Sequence, residues 1–296
     1  MKKLRPGDLD REVYELYDRY VHHDIGRREF LSRLSKYTVT GLTAAAIFEF
    51  LAPDYARAQQ VKPDDPRLRP RYVPYYSARG TRLIRALLAH PAGHAEKKLP
   101  GVVVVHENRG LNPYIEDVTR RLALAGYVAL GPDALTPFGG YPGDDERGRE
   151  LQAKRDRFEM LEDFVEAFNY LKAHPLCTGK VGVIGFCFGG WIANMMATRL
   201  PGLAAAAPFY GMPPPLEEVP AIQAPLLLHF AENDSRVNEG WPAYEDALKK
   251  NGKKYKAYLY KGANHGFHND TTPRYDTGAA ERAWQRTLKF FKKNLQ

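Results

Sequence analysis

Downstream of residue 100, short unbroken apolar runs alternate with longer stretches in which apolar residues recur every three or four positions. Gly101–Val105 is such a run, of the kind buried on both faces of a parallel sheet. Asn112 followed by Pro113 predicts the start of a helix, and Gly126 its stop. Tyr127–Leu130, Lys180–Gly185, Leu203–Phe209, Pro225–Phe230 and Lys256–Tyr260 read as further strands. Glu146–His174 reads as one long or broken helix, and Gly189–Arg199, Asn238–Asn251 and Thr277–Asn294 as helices. Gly131–Asp145 and Gly262–Thr272 read as loops, and Met212–Ala224 as a Pro-rich excursion. Upstream, Tyr72–Tyr76 and Thr81–His90 form a hairpin at the sheet edge, and Pro91–Pro100 a loop. Strands alternating with helices predict an α/β fold, a doubly wound and mostly parallel sheet with helices on both faces.

The first 58 residues follow another pattern. Asp8–His23 is amphipathic. Arg27-Arg28-Glu29-Phe30-Leu31 has the form of a twin-arginine export signal, Thr38–Leu51 is moderately apolar, and Ala56-Arg57-Ala58 is a small-x-small cleavage pattern. A cut after Ala58 would leave Gln59 first and the protein exported to the periplasm. Against this stand Glu49 within the apolar stretch and the long charged leader. The alternative is a cytoplasmic protein whose leader is kept as a helical arm packed on the domain or on a second subunit. The apolar stretch is too short for a stable membrane anchor. The chain thus divides into a leader (1–58), a Pro- and charge-rich linker (59–71) and one α/β domain (72–296).

Composition narrows the function classes. The net charge of +8 falls almost wholly outside the leader and is spread out. Basic residues interleaved with aromatics are missing, which argues against nucleic acid and leaves mild attraction of anionic substrates. The two cysteines, Cys177 and Cys187, form no C-x-x-C pair, so the spacing offers no metal or thioredoxin site. They lie at opposite ends of one predicted strand, too far apart for a disulfide.

Cys187 is the candidate nucleophile. Val181–Trp191 reads V-G-V-I-G-F-C-F-G-G-W, a strand, a turn and a helix in the form of a nucleophile elbow with cysteine in place of serine. The turn is tight enough that a Cβ at Gly185 or Gly189 would crowd it, and the helix N-terminus stabilises a thiolate. The plainer alternative is a buried cysteine in a Gly-rich turn. Ionisable residues expected at strand C-termini are Glu107, Cys187, Asp234 and His265. Their chain order, nucleophile, acid, histidine, is that of α/β-hydrolases. His265 is the expected base and Asp234 its orienting partner. His268 and Glu232 are the weaker rivals, and His90, His106, His174 and His229 are read as structural. The oxyanion hole is expected from the backbone N–H groups of Phe188 and Asn108.

The elbow G-F-C-F-G-G, the loop H-E-N-R-G, and the stretches D-E-R-G-R, F-Y-G and H-G-F together resemble the dienelactone hydrolases, from about Tyr72 to the C-terminus. The resemblance implies the α/β-hydrolase fold, ester or lactone hydrolysis by a Cys-His-Asp triad, and an acyl-thioenzyme. It implies that Glu107 contacts the resting thiol and helps form the thiolate. It also implies two arginines holding a substrate carboxylate. Arg149 matches one; the other position is Asn269, so the chain departs from the pattern there. Arg109, Arg147 and Arg274 are candidates to compensate. The expectation is a carboxylic ester or lactone hydrolase of small molecules, needing no metal or organic cofactor, with a homo-oligomer left open. The other readings are a non-catalytic binding module on a hydrolase scaffold, and a thiol redox sensor.

Overall fold

The computed structural model of the chain describes residues 4, 8–38, 43–56, 59–93 and 97–296. Arg57 and Ala58 of the predicted cleavage pattern and part of the apolar stretch before it therefore lie outside the described residues. Eight strands form one sheet: β1 (Arg71–Ser77), β2 (Arg82–Ala89), β3 (Leu99–Val105), β4 (Val128–Pro132), β5 (Cys177–Phe186), β6 (Ala205–Phe209), β7 (Leu226–Asn233) and β8 (Tyr255–Asn264). Their order is β1-β2-β4-β3-β5-β6-β7-β8. The β1–β2 hairpin and the β2–β4 pair are antiparallel, and every later pairing is parallel.

The apolar runs account for the layers. Val102 and Val104 face one hydrophobic cluster and Val103 and Val105 the other, so β3 is buried on both sides. One face is covered by α6 (Arg157–Ala173), α7 (Phe188–Arg199) and α9 (Trp241–Lys250). The other is covered by α4 (Pro113–Leu124) and α10 (Thr277–Leu295). Asn112 caps α4 as the sequence predicts, its side chain accepting from Ile115 N–H at 3.1 Å with Pro113 in the first turn.

Several boundaries differ from the pattern. The stretch expected as one long or broken helix is two, α5 (Asp145–Gln152) and α6, because Asp156 caps a fresh start with bonds to Phe158 N–H and Glu159 N–H. The helix expected from Asn238 starts at Trp241, after a single turn, α8 (Ser235–Asn238), where Pro242 suits a new first turn. Strands β7 and β8 run on to Asn233 and Asn264, into residues expected to be loop, because the two pair as far as Asn233 with Asn264.

The N-terminal segment has a small core of its own. Helices α1 (Arg11–Val21), α2 (Arg27–Leu34) and α3 (Ala44–Leu51) bury Val13, Tyr17, Tyr20, Phe30, Leu34, Ile47 and Leu51 against one another. Tyr20 stacks on Phe30 with ring centres 4.6 Å apart. Among the described residues no helix is long and apolar enough to cross a membrane. Residues 59–70 run along the body, with Asp117 accepting from Val61 N–H at 2.8 Å and Val61 O accepting from the Arg120 side chain.

Candidate active site

The elbow is built as its glycines require. Cys187 sits between β5 and α7 with φ 57° and ψ −112°, a conformation that side-chain-bearing residues rarely adopt. A Cβ on Gly185 would lie 1.9 Å from Gly189 O, and one on Gly189 would lie 2.4 Å from Val105 O. Strand, helix and the neighbouring β3 thus touch backbone to backbone. That contact brings the start of the loop after β3, which goes on to Glu107 and Asn108, against the elbow, while Phe188 opens α7 just past the thiol.

Strand register supplies the other two groups. Asn233 of β7 lies opposite Asn264 of β8, so the residues that follow, Asp234 and His265, emerge side by side. Asp234 Oδ2 lies 2.6 Å from His265 Nδ1, and both are buried. The rivals are engaged elsewhere. Glu232 accepts from Gly262 N–H at 2.8 Å, and His268 Nδ1 pairs with the Tyr114 hydroxyl at 2.7 Å. Burial holds His268 well below the usual imidazole range, with Arg121 and His229 acting the same way. His106, His174 and His229 likewise have local partners, Ala134 N–H, Leu176 N–H and the Tyr260 and Thr287 hydroxyls.

Two groups that the sequence reading passed over, Asp18 of α1 and His22 just after it, reach into this site. His22 Nε2 lies 3.0 Å from Cys187 Sγ, and its ring meets that of His265 edge-on at 5.0 Å. Asp18 Oδ1 lies 3.3 Å from His22 Nδ1 and 3.9 Å from His265 Nε2. Arg236 donates to Asp18 Oδ2 and meets His22 Nε2 at 3.0 Å. His22, Cys187 and His265 each place one ring nitrogen or sulfur within 4.8 Å of the others, a spacing that a soft divalent ion could span.

The electrostatics follow from burial opposed by charge. Burial alone would push the Cys187 thiol up, but His22 and His265 hold it well below the usual thiol range, which favours the thiolate. Burial pulls His22 down, yet Asp18 and Cys187 raise it to about 9. His265 is raised well above the imidazole range against its burial, by Asp18, Asp234 and Cys187. Burial would raise the Asp18 carboxyl, but His265, His22 and Arg236 hold it well below the carboxylate range. Glu107 is raised by burial, with Arg109 opposing.

Glu107 lies close enough to Cys187 for the two to interact by charge. Glu107 Oε2 accepts from Asn269 Nδ2 at 3.0 Å, and the thiol faces His22. The residue that departs from the family pattern therefore has a local task, since a neutral amide at 269 donates to the buried carboxylate. Of the candidate arginines, Arg109 pairs with Asp145 at 2.8 Å and Arg147 pairs with Glu150. Arg274 is buried beside Gly266, with Nη1 3.9 Å from Asp18 Oδ1. Arg149 is also buried, and donates to Tyr20 O, to the Tyr20 hydroxyl and to Glu146.

The sequence profile of the dienelactone hydrolase family matches residues 84–295. The chain belongs to the dienelactone hydrolase family. A second profile, YqhI-like, covers residues 1–39, the stretch that holds α1 and α2. A Saccharolobus solfataricus protein with the provisional name carboxymethylenebutenolidase is 31% identical over 257 residues, 74% of this chain and 97% of the relative. The Escherichia coli K12 hydrolase fragment YghX is 55% identical over 115 residues, 39% of this chain and 97% of the fragment. Among solved structures, a provisionally named dienelactone hydrolase of Klebsiella pneumoniae matches with TM-score 0.68 and 26% identity, covering 76% of this chain and 98% of that one. The dienelactone hydrolase-like promiscuous phosphotriesterase P91, from metagenomic libraries, matches with TM-score 0.67 and 26% identity, covering 77% and 99%. The protein is therefore a hydrolase of the dienelactone hydrolase family on an α/β-hydrolase fold, with one mostly parallel sheet between two layers of helices.

Proposed function

We propose that this dienelactone hydrolase family member hydrolyses small carboxylic esters or lactones through Cys187, with His265 and Asp234 completing a triad. The observation that carries the reading is the join of a strained elbow thiol to a buried Asp234–His265 pair at 2.6 Å, all at strand C-termini. The names of the relatives, a carboxymethylenebutenolidase among them, support the same bond class.

The chemistry balances as acyl transfer. The Cys187 thiolate attacks the carbonyl carbon and a C–S bond forms. The resulting oxyanion is stabilised by the N–H groups of Phe188 and Asn108. As the C–O bond breaks, the leaving alkoxide takes the proton held on His265 Nε2; for a lactone it stays attached to the acyl group. Water then attacks the thioester, His265 takes its proton, and the thiolate leaves with the acid released. Asp234 keeps the His265 ring in register and stabilises its cationic form. Glu107, whose carboxyl burial raises, is a further proton acceptor beside the thiol when substrate displaces the resting contacts.

The test is a panel of p-nitrophenyl acetate, p-nitrophenyl butyrate and lactones with and without a carboxylate, run on wild type and Cys187→Ala. Turnover by wild type and at least a 1000-fold lower kcat/KM in the variant is the expected result, on the order of what loss of a nucleophile costs. Equal activity in the variant would overturn the thiol mechanism.

A further inference from the structure

Helix α1 does more than pack on the body, since its last turn and the residues just after it meet the sulfur of Cys187, the ring of His265 and the side chain of Asn108. His22 faces the Cys187 sulfur at 3.0 Å. Asp18 sits between His265, Arg236 and Arg274. Val21 O accepts from the Asn108 side chain at 2.6 Å, on the loop expected to supply an oxyanion donor. Arg149, the matched carboxylate-binding arginine, donates to Tyr20 O and meets His23 Nδ1 at 3.0 Å. The arm thus places two backbone carbonyls, on the Asn108 amide and on Arg149, and one carboxylate, beside Arg236 and Arg274, where the polar groups of an acidic ester would compete for the same donors.

From this geometry we infer that residues Asp18–His23 are an internal inhibitor, seated in the substrate site and displaced before turnover. The inference rests on the proposed ester-hydrolase reading of that site.

Three observations favour blocking over helping. A substrate carbonyl carbon must come within about 3–3.5 Å of the attacking sulfur. Cys187 is only 7% exposed, and His22 stands on its sulfur. The cavity at the arm–body junction holds about 110 Å³ and is bounded by Asp18, Arg236, His265 and Arg274, without Cys187 in its wall. That volume is below the roughly 300 Å³ of an ordinary ligand pocket.

Second, the arm is built to detach as a unit. Its apolar side chains close on one another in a cluster separate from the two that sandwich the sheet, and its seat in the site is polar. Third, the seat is imperfect. No hydrogen bond closes on Asp18 Oδ1 or on Arg274 Nε and Nη1, although all three atoms are buried. Buried donors left without a matched acceptor make the docked seat easier to leave. The turn that aims His22 is itself strained. His23 holds φ 65° where a helix end prefers glycine, with Asp24 N–H returning to Arg19 O and His23 N–H to Tyr20 O. An anionic acyl compound that takes the Arg236–Arg274 seat from Asp18 is the class of ligand that would open the site. A cut after Ala58 would remove the arm altogether.

The test uses the full-length protein and two variants that loosen the arm and keep Cys187, His265 and Asp234 themselves, Phe30→Ala in the arm core, away from the triad, and Asp18→Arg at the charged seat beside His265. Two rates are read: alkylation of Cys187 by iodoacetamide, assigned by peptide mapping with buried Cys177 as internal control, and kcat/KM for p-nitrophenyl acetate. Both should rise at least tenfold in both variants while the main thermal transition stays in place. Unchanged or lower alkylation in both variants overturns the inhibitor and assigns the arm a supporting role in the site. Faster alkylation with no ester turnover by any form keeps the inhibitor and removes the ester reading.

Discussion

At the scale of single residues, the site is a chain of alternating charges: Asp234, His265, Cys187, His22, Asp18 and Arg236. Removing a member should move its neighbours in a definite direction. Without His22, Cys187 loses one of the two charges, His22 and His265, that hold its thiol down. The thiolate absorbance of His22→Ala near 240 nm should therefore titrate at higher pH than that of wild type. An identical titration in both would show that His265 alone sets the thiolate. Asp234→Asn should lower kcat by about 10²–10⁴ while leaving the fold intact, since the acid fixes the tautomer and orientation of His265. A loss under threefold would remove Asp234 from the triad.

The same charges set how the arm responds to pH. His22 is raised to about 9 from an ordinary 6.5, so protonation favours the docked state. That contribution is complete below about pH 6.5 and is lost as pH climbs through about 9. Asp18 has the opposite sign. Its carboxyl is held below the ordinary 3.8, so its contribution is present above that pH and is lost in acid. The arm should dock most firmly between about pH 4 and 6.5. Amide hydrogen exchange over residues 11–34, corrected for intrinsic rates, should be faster at pH 9.5 than at pH 6, and His22→Gln should flatten the difference. A pH-independent pattern in wild type would show that His22 carries no charge-linked part of the docking.

At the scale of elements, the elbow is the least tolerant part of the structure. Gly185→Ala places a methyl 1.9 Å from Gly189 O, where both partners are backbone and neither can rotate away. The expected result is loss of soluble protein, or a fall of more than about 10 °C in the thermal midpoint, from a cost of several kcal/mol. A variant with unchanged midpoint would contradict the backbone contact described here. This element was legible in sequence because its physics is local: an apolar strand, two glycines at fixed offsets and a helix. Asp234 and His265 were legible for a related reason, since each follows a strand and the parallel register carries both to one edge. Helix boundaries near Asp156 and Trp241 were not legible, because a cap or a proline restarts a helix inside one continuous periodic pattern. Helix α1 was legible as an amphipathic helix but not as part of the site. Nothing in the sequence singles out Asp18 and His22, four residues apart, because periodicity says which face is apolar and not what covers the other. The pair also lies far along the chain from Cys187, and no spacing rule links them.

At the scale of the whole molecule, a body with the complete hydrolase sheet carries a second, self-packed unit across its mouth. The family profile covers the body and a separate profile covers residues 1–39, so the sequence divides near the same line as the hydrophobic clusters. An export signal and an inhibiting arm are compatible uses of one segment, since removal after Ala58 would do both jobs. Intact mass after cell fractionation tells them apart. A chain starting at Gln59 in the periplasm marks cleavage as the opening step, and a full-length chain marks displacement in place.

The account depends most on the thiol acting as a nucleophile toward an acyl carbon. The measurement that tests this most directly is rapid acid quench of the protein with p-nitrophenyl acetate, followed by mass analysis of the peptide that bears Cys187. The account predicts one acetyl group on that peptide, formed and lost at rates that match turnover, and absent from Cys187→Ala. Turnover with no acyl group on Cys187 at any time, or the same acetylation in the variant on another residue, would contradict it.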